Sequence, residues 1–169
     1  MLAMGVGVLV FGIWILMETR WAANTLPALS QGYKRLAILL PWELPKPLES
    51  TPFAPEVCGW WMTAVRIFGS AAVISVIEEF FWRGFLYRWM LGQNFLRVPM
   101  DRLHVPTLII VSLTFAVAHD RWLAAFLAGM LYGWLVIRTR DIWAGCFAHG
   151  VTNLLLALYV LGGSRYEFW

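Results

Sequence analysis

The residues with the clearest chemical potential are polar side chains placed within or beside long apolar runs: Glu78, Glu79, Arg83, His119, His149 and Asn153. Ionisable groups inside a membrane segment are costly, so they are rare there and usually mark a function. A carboxylate can activate water as a general base, and neutral donors can stabilise an oxyanion. This set of residue types therefore predicts hydrolysis inside a membrane.

The two adjacent glutamates are predicted to have different roles. Glu79 and Arg83 are four residues apart on one predicted helix, in the favoured order for an ion pair. Glu78 is rotated by about 100° from Glu79 around the helix, so the same arginine does not easily serve both carboxylates. Glu78 is thus the predicted general base, and Glu79 and Arg83 are the predicted supporting pair. The simpler alternative is that Arg83 only neutralises Glu79.

The histidines and the asparagine are predicted to face a shared cavity. His119 ends the third apolar run, His149 lies within the fifth, and Asn153 follows His149 on the same helical face. If these groups did not meet, each would need its own buried partner, so convergence is the less costly arrangement. Together with a water molecule, Glu78, His119 and His149 also make a plausible zinc site. Because they lack a closely spaced chelating pair, the favoured interpretation has no cofactor, and zinc is the alternative.

Other hydrolytic chemistries are poorly supported. The HExxH spacing of zinc peptidases and the G-x-S-x-G turn of serine hydrolases are both absent from the sequence. Asp101, Asp120 and Asp141 fall in predicted loops, which argues against an aspartyl dyad. Cys146 lies one helical turn before His149, but the simpler interpretation is a small buried side chain.

Composition indicates that these residues are held by membrane helices. Of the 169 residues, 60% are hydrophobic and 14% are charged, against roughly 45–50% and 25% in globular proteins. Eleven tryptophans fit anchoring at the membrane interface. The net charge of +3 comes from arginines scattered among apolar runs, so no nucleic-acid partner is predicted.

The apolar runs predict an all-α fold, a polytopic transmembrane helix bundle with about five spanning helices. These runs are Met1–Met17, Val57–Gly92, Val105–Ala118, Trp122–Ile137 and Ile142–Ser164. A stripe of small residues in the fourth run predicts close packing against a neighbouring helix: Ala125, Gly129 and Gly133.

Two regions are predicted along the chain. Residues 1–56 hold an N-terminal transmembrane helix and an interfacial loop with five of the eight prolines, in which Tyr33–Leu40 is a candidate interfacial helix. Residues 57–169 form the predicted catalytic core. Arginines cluster at one end of the predicted bundle, which places that end in the cytoplasm: Arg88, Arg97, Arg102, Arg138 and Arg140.

The motifs Glu78-Glu79-x-x-x-Arg83, Phe115-x-x-x-His119 and His149-x-x-x-Asn153, in this order, resemble the signature of the CPBP intramembrane proteases. That family includes CAAX prenyl endopeptidases and bacteriocin-processing or immunity proteins. The resemblance covers residues 57–162. The surroundings 80–85 and the end 166–169 are similar to the bacterial CAAX prenyl protease-related subgroup, some members of which occur with exosortase-type sorting systems.

The resemblance implies cleavage of a peptide bond in a membrane-embedded protein or peptide, by a multi-pass protein of the bacterial inner membrane. It implies that Glu78 is the general base and that His119 holds or activates water. It implies an oxyanion-stabilising role for His149 and Asn153, and a supporting role for Glu79 and Arg83. The alternatives are a proton- or ion-coupled membrane carrier and a non-catalytic scaffold of the same fold.

Overall fold

The computed structural model describes residues 1–38 and 51–168, and the regular structure within these ranges is helical. This confirms the predicted all-α class for the described part of the chain. It contains seven helices besides two short 3-10 turns, with the five consecutive α- and π-helical segments between 55 and 91 counted as one. They are α1 (Leu2–Leu16), α2 (Arg20–Thr25), α3 (Pro27–Leu36), α4 (Pro55–Leu91), α5 (Val105–Val117), α6 (Trp122–Thr139) and α7 (Ile142–Gly163).

Three of these helices, α4, α6 and α7, are long and apolar enough to cross a membrane. The chain is therefore a multi-pass membrane protein by helix length and composition. The helices α1 and α5 are apolar but have 15 and 13 residues, fewer than the roughly 20 that span a bilayer without thinning it. The count of five spanning helices stays a prediction.

The predicted interfacial helix has different bounds. In place of Tyr33–Leu40, the helix runs over Pro27–Leu36. Pro27 occupies its first turn, where a fixed φ angle favours initiation and no backbone N–H is needed. Leu39, Leu40 and the prolines from 41 to 47 lie outside the described residues.

The helix α4 changes its winding on both sides of the two glutamates. Residues Gly69–Ile74 and Phe80–Leu86 are π-helical, and the α-helical segment Ser75–Glu79 lies between them. Near its start, α4 is also interrupted at Gly59, which has a φ angle of 80°. A π-helical turn carries an extra residue and changes the direction in which the following side chains point. The glutamates therefore occupy a short regular segment between two irregular ones.

Small residues bring the helices close together, as the sequence predicts for α6. A Cβ atom at Gly129 would lie 2.9 Å from the Cβ of Ser112 on α5. On α1, a Cβ atom at Gly7 would lie 2.5 Å from the carbonyl oxygen of Ala148 on α7. Both distances are too short for a real side chain, so these glycines are required for the close approach of the helices that surround the site.

Candidate active site

The centre of the polar cluster is the carboxylate of Glu79, which is fully buried. Its Oε1 atom accepts from Arg83 Nη1 at 2.7 Å and lies 3.0 Å from His149 Nδ1. Arg83 also donates from Nη2 to the carbonyl oxygen of Gly129 at 3.0 Å. The ion pair expected from the four-residue spacing is present. Through it, one carboxylate connects α4, α6 and α7.

Aromatic rings enclose this ion pair. The Arg83 guanidinium lies 4.9 Å from the ring centre of Phe115 and 5.6 Å from that of Tyr132. Tyr132 stacks on His149 with ring centres 5.0 Å apart, and its hydroxyl donates to Thr152 Oγ1 at 2.7 Å. The sequence reasoning missed Tyr132. The sequence feature that could have identified it is its position between two small residues of the predicted packing stripe.

Glu78 faces a different environment from that of Glu79. It is half-buried and lines a cavity of about 340 Å³. Its Oε2 atom is buried and has no hydrogen-bond partner within 1–38 and 51–168. The same cavity is lined by His119, His149 and Asn153. The structure thus brings together the four residues predicted to take part in catalysis, with Glu79 and Arg83 packed behind them.

The ring of His119 has a defined orientation. Its Nδ1 atom lies 2.8 Å from the carbonyl oxygen of Phe115, and because a carbonyl oxygen only accepts, Nδ1 carries the proton in this contact. Nε2 is then the atom available to a ligand in the cavity. The ring also packs against Phe115 at 4.4 Å and against the edge of Trp14 at 5.8 Å between ring centres.

Both amide hydrogens of Asn153 are already engaged. Its Nδ2 atom donates to the carbonyl oxygen of Ser70 at 2.9 Å and to Ser75 Oγ at 3.2 Å. Ser75 Oγ in turn donates to the same Ser70 oxygen at 3.0 Å. Asn153 therefore fastens α7 to Ser70 in the first π-helical segment of α4 and to Ser75, three residues before Glu78.

A glycine next to His149 makes this contact possible. A Cβ atom at Gly150 would lie 2.5 Å from the carbonyl oxygen of Ala71 in the π-helical segment. The main chains of α4 and α7 are consequently almost in contact. This approach sets the separation across which Glu78 and His149 face the cavity.

A second buried ion pair was not predicted. Arg121 donates from Nε and Nη2 to the two carboxylate oxygens of Glu18, at 2.6 Å and 3.0 Å. Both side chains are buried, and Arg121 lines the cavity.

Nearby on α3, burial and the Glu18 carboxylate raise the pKa of Tyr33 to about 12, against a smaller opposing effect of Arg121. Tyr33 is therefore neutral at physiological pH.

The donor atoms of the site do not converge as a zinc site requires. In the described part of the chain, no three His, Cys, Asp or Glu side chains are close enough together to hold a metal ion. The Nδ1 atoms of His119 and His149 are both engaged, so Nε2 of each ring and an oxygen of Glu78 are the atoms that a zinc ion would use. Bringing them to bonding distance would require movement of the helices.

Comparison with known proteins identifies a family. The family model described as type II CAAX prenyl endopeptidase Rce1-like matches residues 60–155, which is more than half of the chain. The matched range contains both glutamates, Arg83, both cavity histidines and Asn153. No curated protein and no solved structure matches the chain.

Proposed function

The chain belongs to the type II CAAX prenyl endopeptidase Rce1-like family, and we propose that it is an intramembrane endopeptidase that uses Glu78 as its general base. Family membership implies an intramembrane protease with a protein substrate. The observation that supports the role of Glu78 is that it lines the cavity shared with His119, His149 and Asn153, whereas Glu79, whose Oε2 atom likewise has no hydrogen-bond partner among the described residues, does not line it.

In the proposed reaction, water is held between Glu78 and His119. Nε2 of His119 accepts one hydrogen of the water, because Nδ1 of that ring is occupied by Phe115. Glu78 accepts the other hydrogen and removes it as the water oxygen attacks the scissile carbonyl carbon. The protonated Glu78 then delivers that proton to the leaving amine. No metal takes part in these steps.

The developing oxyanion is stabilised by His149 and Asn153. His149 donates from Nδ1 to Glu79, and in the proposed reaction a second proton on Nε2 lets the ring donate towards the cavity. Asn153 exchanges its longer hydrogen bond, the 3.2 Å contact with Ser75, for one to the oxyanion. Donors fixed in a site that excludes water stabilise such a charge more than the same donors do in water.

Glu79 and Arg83 support this arrangement without touching the substrate. Neither residue lines the cavity. Glu79 holds the His149 ring through Nδ1, and Arg83 balances the charge of Glu79 and ties α4 to α6 through Gly129. We expect these two residues to affect folding and the orientation of His149.

The setting of the reaction is proposed on the resemblance and on the pattern of helices. We assign catalysis to residues 57–169, and the N-terminal helix and interfacial segment to residues 1–56. We place five helices across the membrane, with α1 and α5 completing the bundle formed by α4, α6 and α7, and we place the protein in the bacterial inner membrane. More narrowly, we propose that the substrate is a protein handled by an exosortase-type sorting system.

Cleavage of membrane peptides tests this function. The purified protein would be incubated in detergent with transmembrane peptides in ¹⁸O-labelled water, and the products read by mass spectrometry. We expect discrete internal cleavage with ¹⁸O in the new carboxyl group, and a strongly reduced but measurable rate in His119→Gln. The matched control is His104→Gln, because His104 caps the N-terminus of α5, at the opposite end of that helix from His119. Absence of cleavage across the peptide set, or equal loss in both variants, would contradict the proposal.

A further inference from the structure

We propose that Glu18 and Arg121 are positioning residues for His119, so that segments outside the family-matched residues 60–155 complete the active site. This inference rests on the proposed function, because it assigns a role in the same reaction. Glu18 lies between α1 and α2, and Arg121 lies in the short turn that joins α5 to α6. Their ion pair joins positions 103 residues apart.

The turn that carries His119 is anchored through Arg121. Arg121 follows His119 by two residues and binds both carboxylate oxygens of Glu18. Its remaining Nη1 atom donates to the carbonyl oxygen of Glu167 at 3.1 Å, and its guanidinium lies 3.9 Å from the ring centre of Phe168. One arginine therefore fastens this turn to the chain after α1 and to the C-terminal segment.

The same part of the chain also contacts the His119 ring directly. Trp14 precedes Glu18 by four residues and packs its edge against that ring. The end of α1 thus limits both the position of the turn, through Glu18, and the rotation of the ring, through Trp14.

His119 depends on this anchor because its own bonds are local. Among the described residues, its ring has a single hydrogen-bond partner, the carbonyl oxygen of Phe115, which lies four residues earlier on α5. Within the described ranges, no side chain of α4 or α7 forms a hydrogen bond with it. The position of Nε2 relative to Glu78 is therefore set by where the turn sits. A shift of about 1 Å in a catalytic group can cost on the order of 100-fold in rate.

Histidine NMR tests the positioning without requiring activity. The chain has three histidines, so ¹⁵N-histidine labelling gives three sets of ring signals. Each set is assigned by its disappearance in the corresponding His→Gln variant. We expect the wild-type His119 signal to show the Nδ1-protonated tautomer, and Glu18→Gln to shift or broaden that signal while His104 is unchanged. Glu18→Asp, which keeps the carboxylate, should restore it in part. An unchanged His119 signal in Glu18→Gln would overturn the proposal.

The exposed Arg140–Asp101 pair supplies the matched control. Its atoms are 2.9 Å apart, but its side chains are 75% and 38% exposed. Asp101→Asn should leave all three histidine signals unchanged. If Asp101→Asn shifted the His119 signal as strongly as Glu18→Gln does, then loss of any ion pair would perturb His119. The proposed specific role of Glu18 would then be contradicted.

A double-mutant comparison separates positioning from general stabilisation. We expect Glu18→Gln to lower kcat by about 100-fold, with little change in KM. In a His119→Gln background it should lower kcat no further, because its effect acts through His119. An equal loss in both backgrounds would contradict positioning. If the wild type cleaves no peptide but the NMR effect is present, the proposed function fails while the positioning of His119 stands.

Discussion

Glu78 and Glu79 are adjacent in the chain but lie on opposite sides of the boundary between the cavity and the packed interior. Glu79 is fully buried against Arg83 and His149, whereas Glu78 is half-buried and lines the cavity. The angle between successive residues of a helix produces this separation. It allows one carboxylate to stabilise the bundle and leaves the other available to a substrate.

Isosteric substitution of each glutamate separates these two environments. Glu79→Gln removes the charge that balances buried Arg83, and breaking a buried ion pair in this way costs about 3–5 kcal/mol. We therefore expect a much lower thermal unfolding temperature and folded yield in detergent. Glu78→Gln removes a charge with no partner among the described side chains, so we expect unfolding close to that of the wild type. If Glu78→Gln were the more destabilising change, the two roles would be reversed.

Asn153 provides a second prediction, because its amide has both a structural and a proposed catalytic contact. Losing one oxyanion donor costs about 100- to 1,000-fold in kcat, and we expect a loss of that size in Asn153→Ala. Ser75→Ala removes one partner of the same amide but no proposed donor. It should lower stability while leaving most of the activity. Equal loss of kcat in the two variants would show that Asn153 acts only by holding α4.

Much of the site follows from the sequence, because helical spacing places Glu79 with Arg83 and His149 with Asn153 on common faces. The contacts of Asn153 with Ser70 and Ser75 were not predictable in the same way. They depend on π-helical turns in α4, which shift the phase of the side chains and have no clear sequence signature.

The ion pair of Glu18 with Arg121 shows a different limit. Both residues fall between the predicted apolar runs, and nothing in local spacing relates positions 103 residues apart. Which connections meet depends on how α1 packs against α7. That packing is set by the close approach at Gly7, which is visible only in three dimensions.

The approach of α4 and α7 gives a third prediction. Gly150→Ala would place a methyl group 2.5 Å from a main-chain oxygen of Ala71, which cannot move as a side chain can. Such overpacking costs about 1–3 kcal/mol, and we expect lower stability together with lower activity. Gly162→Ala on the same helix is the control, since nothing lies within 4 Å of its added carbon. Thermal unfolding in detergent measures both; a tolerated Gly150→Ala would show that the helices separate easily.

Membrane orientation is the subject of the fourth prediction. Arg140 pairs with Asp101, so the connection before α5 and the turn between α6 and α7 lie at the same end of the bundle. Because short arginine-rich connections remain in the cytoplasm, we expect this end to be cytoplasmic. A reporter active only in the cytoplasm, fused after Arg140, should be active. Activity of an externally active reporter at that position would reverse the orientation.

The central claim is that Glu78 activates water without a metal ion, and the rate of membrane-peptide cleavage after extensive chelation tests it most directly. The wild-type protein and Glu78→Gln would be treated with a tight chelator and assayed side by side by mass spectrometry, with and without added zinc. The account predicts that wild-type cleavage survives chelation and that Glu78→Gln is inactive although folded. Loss of wild-type cleavage that is restored by stoichiometric zinc, or undiminished cleavage by Glu78→Gln, would contradict it.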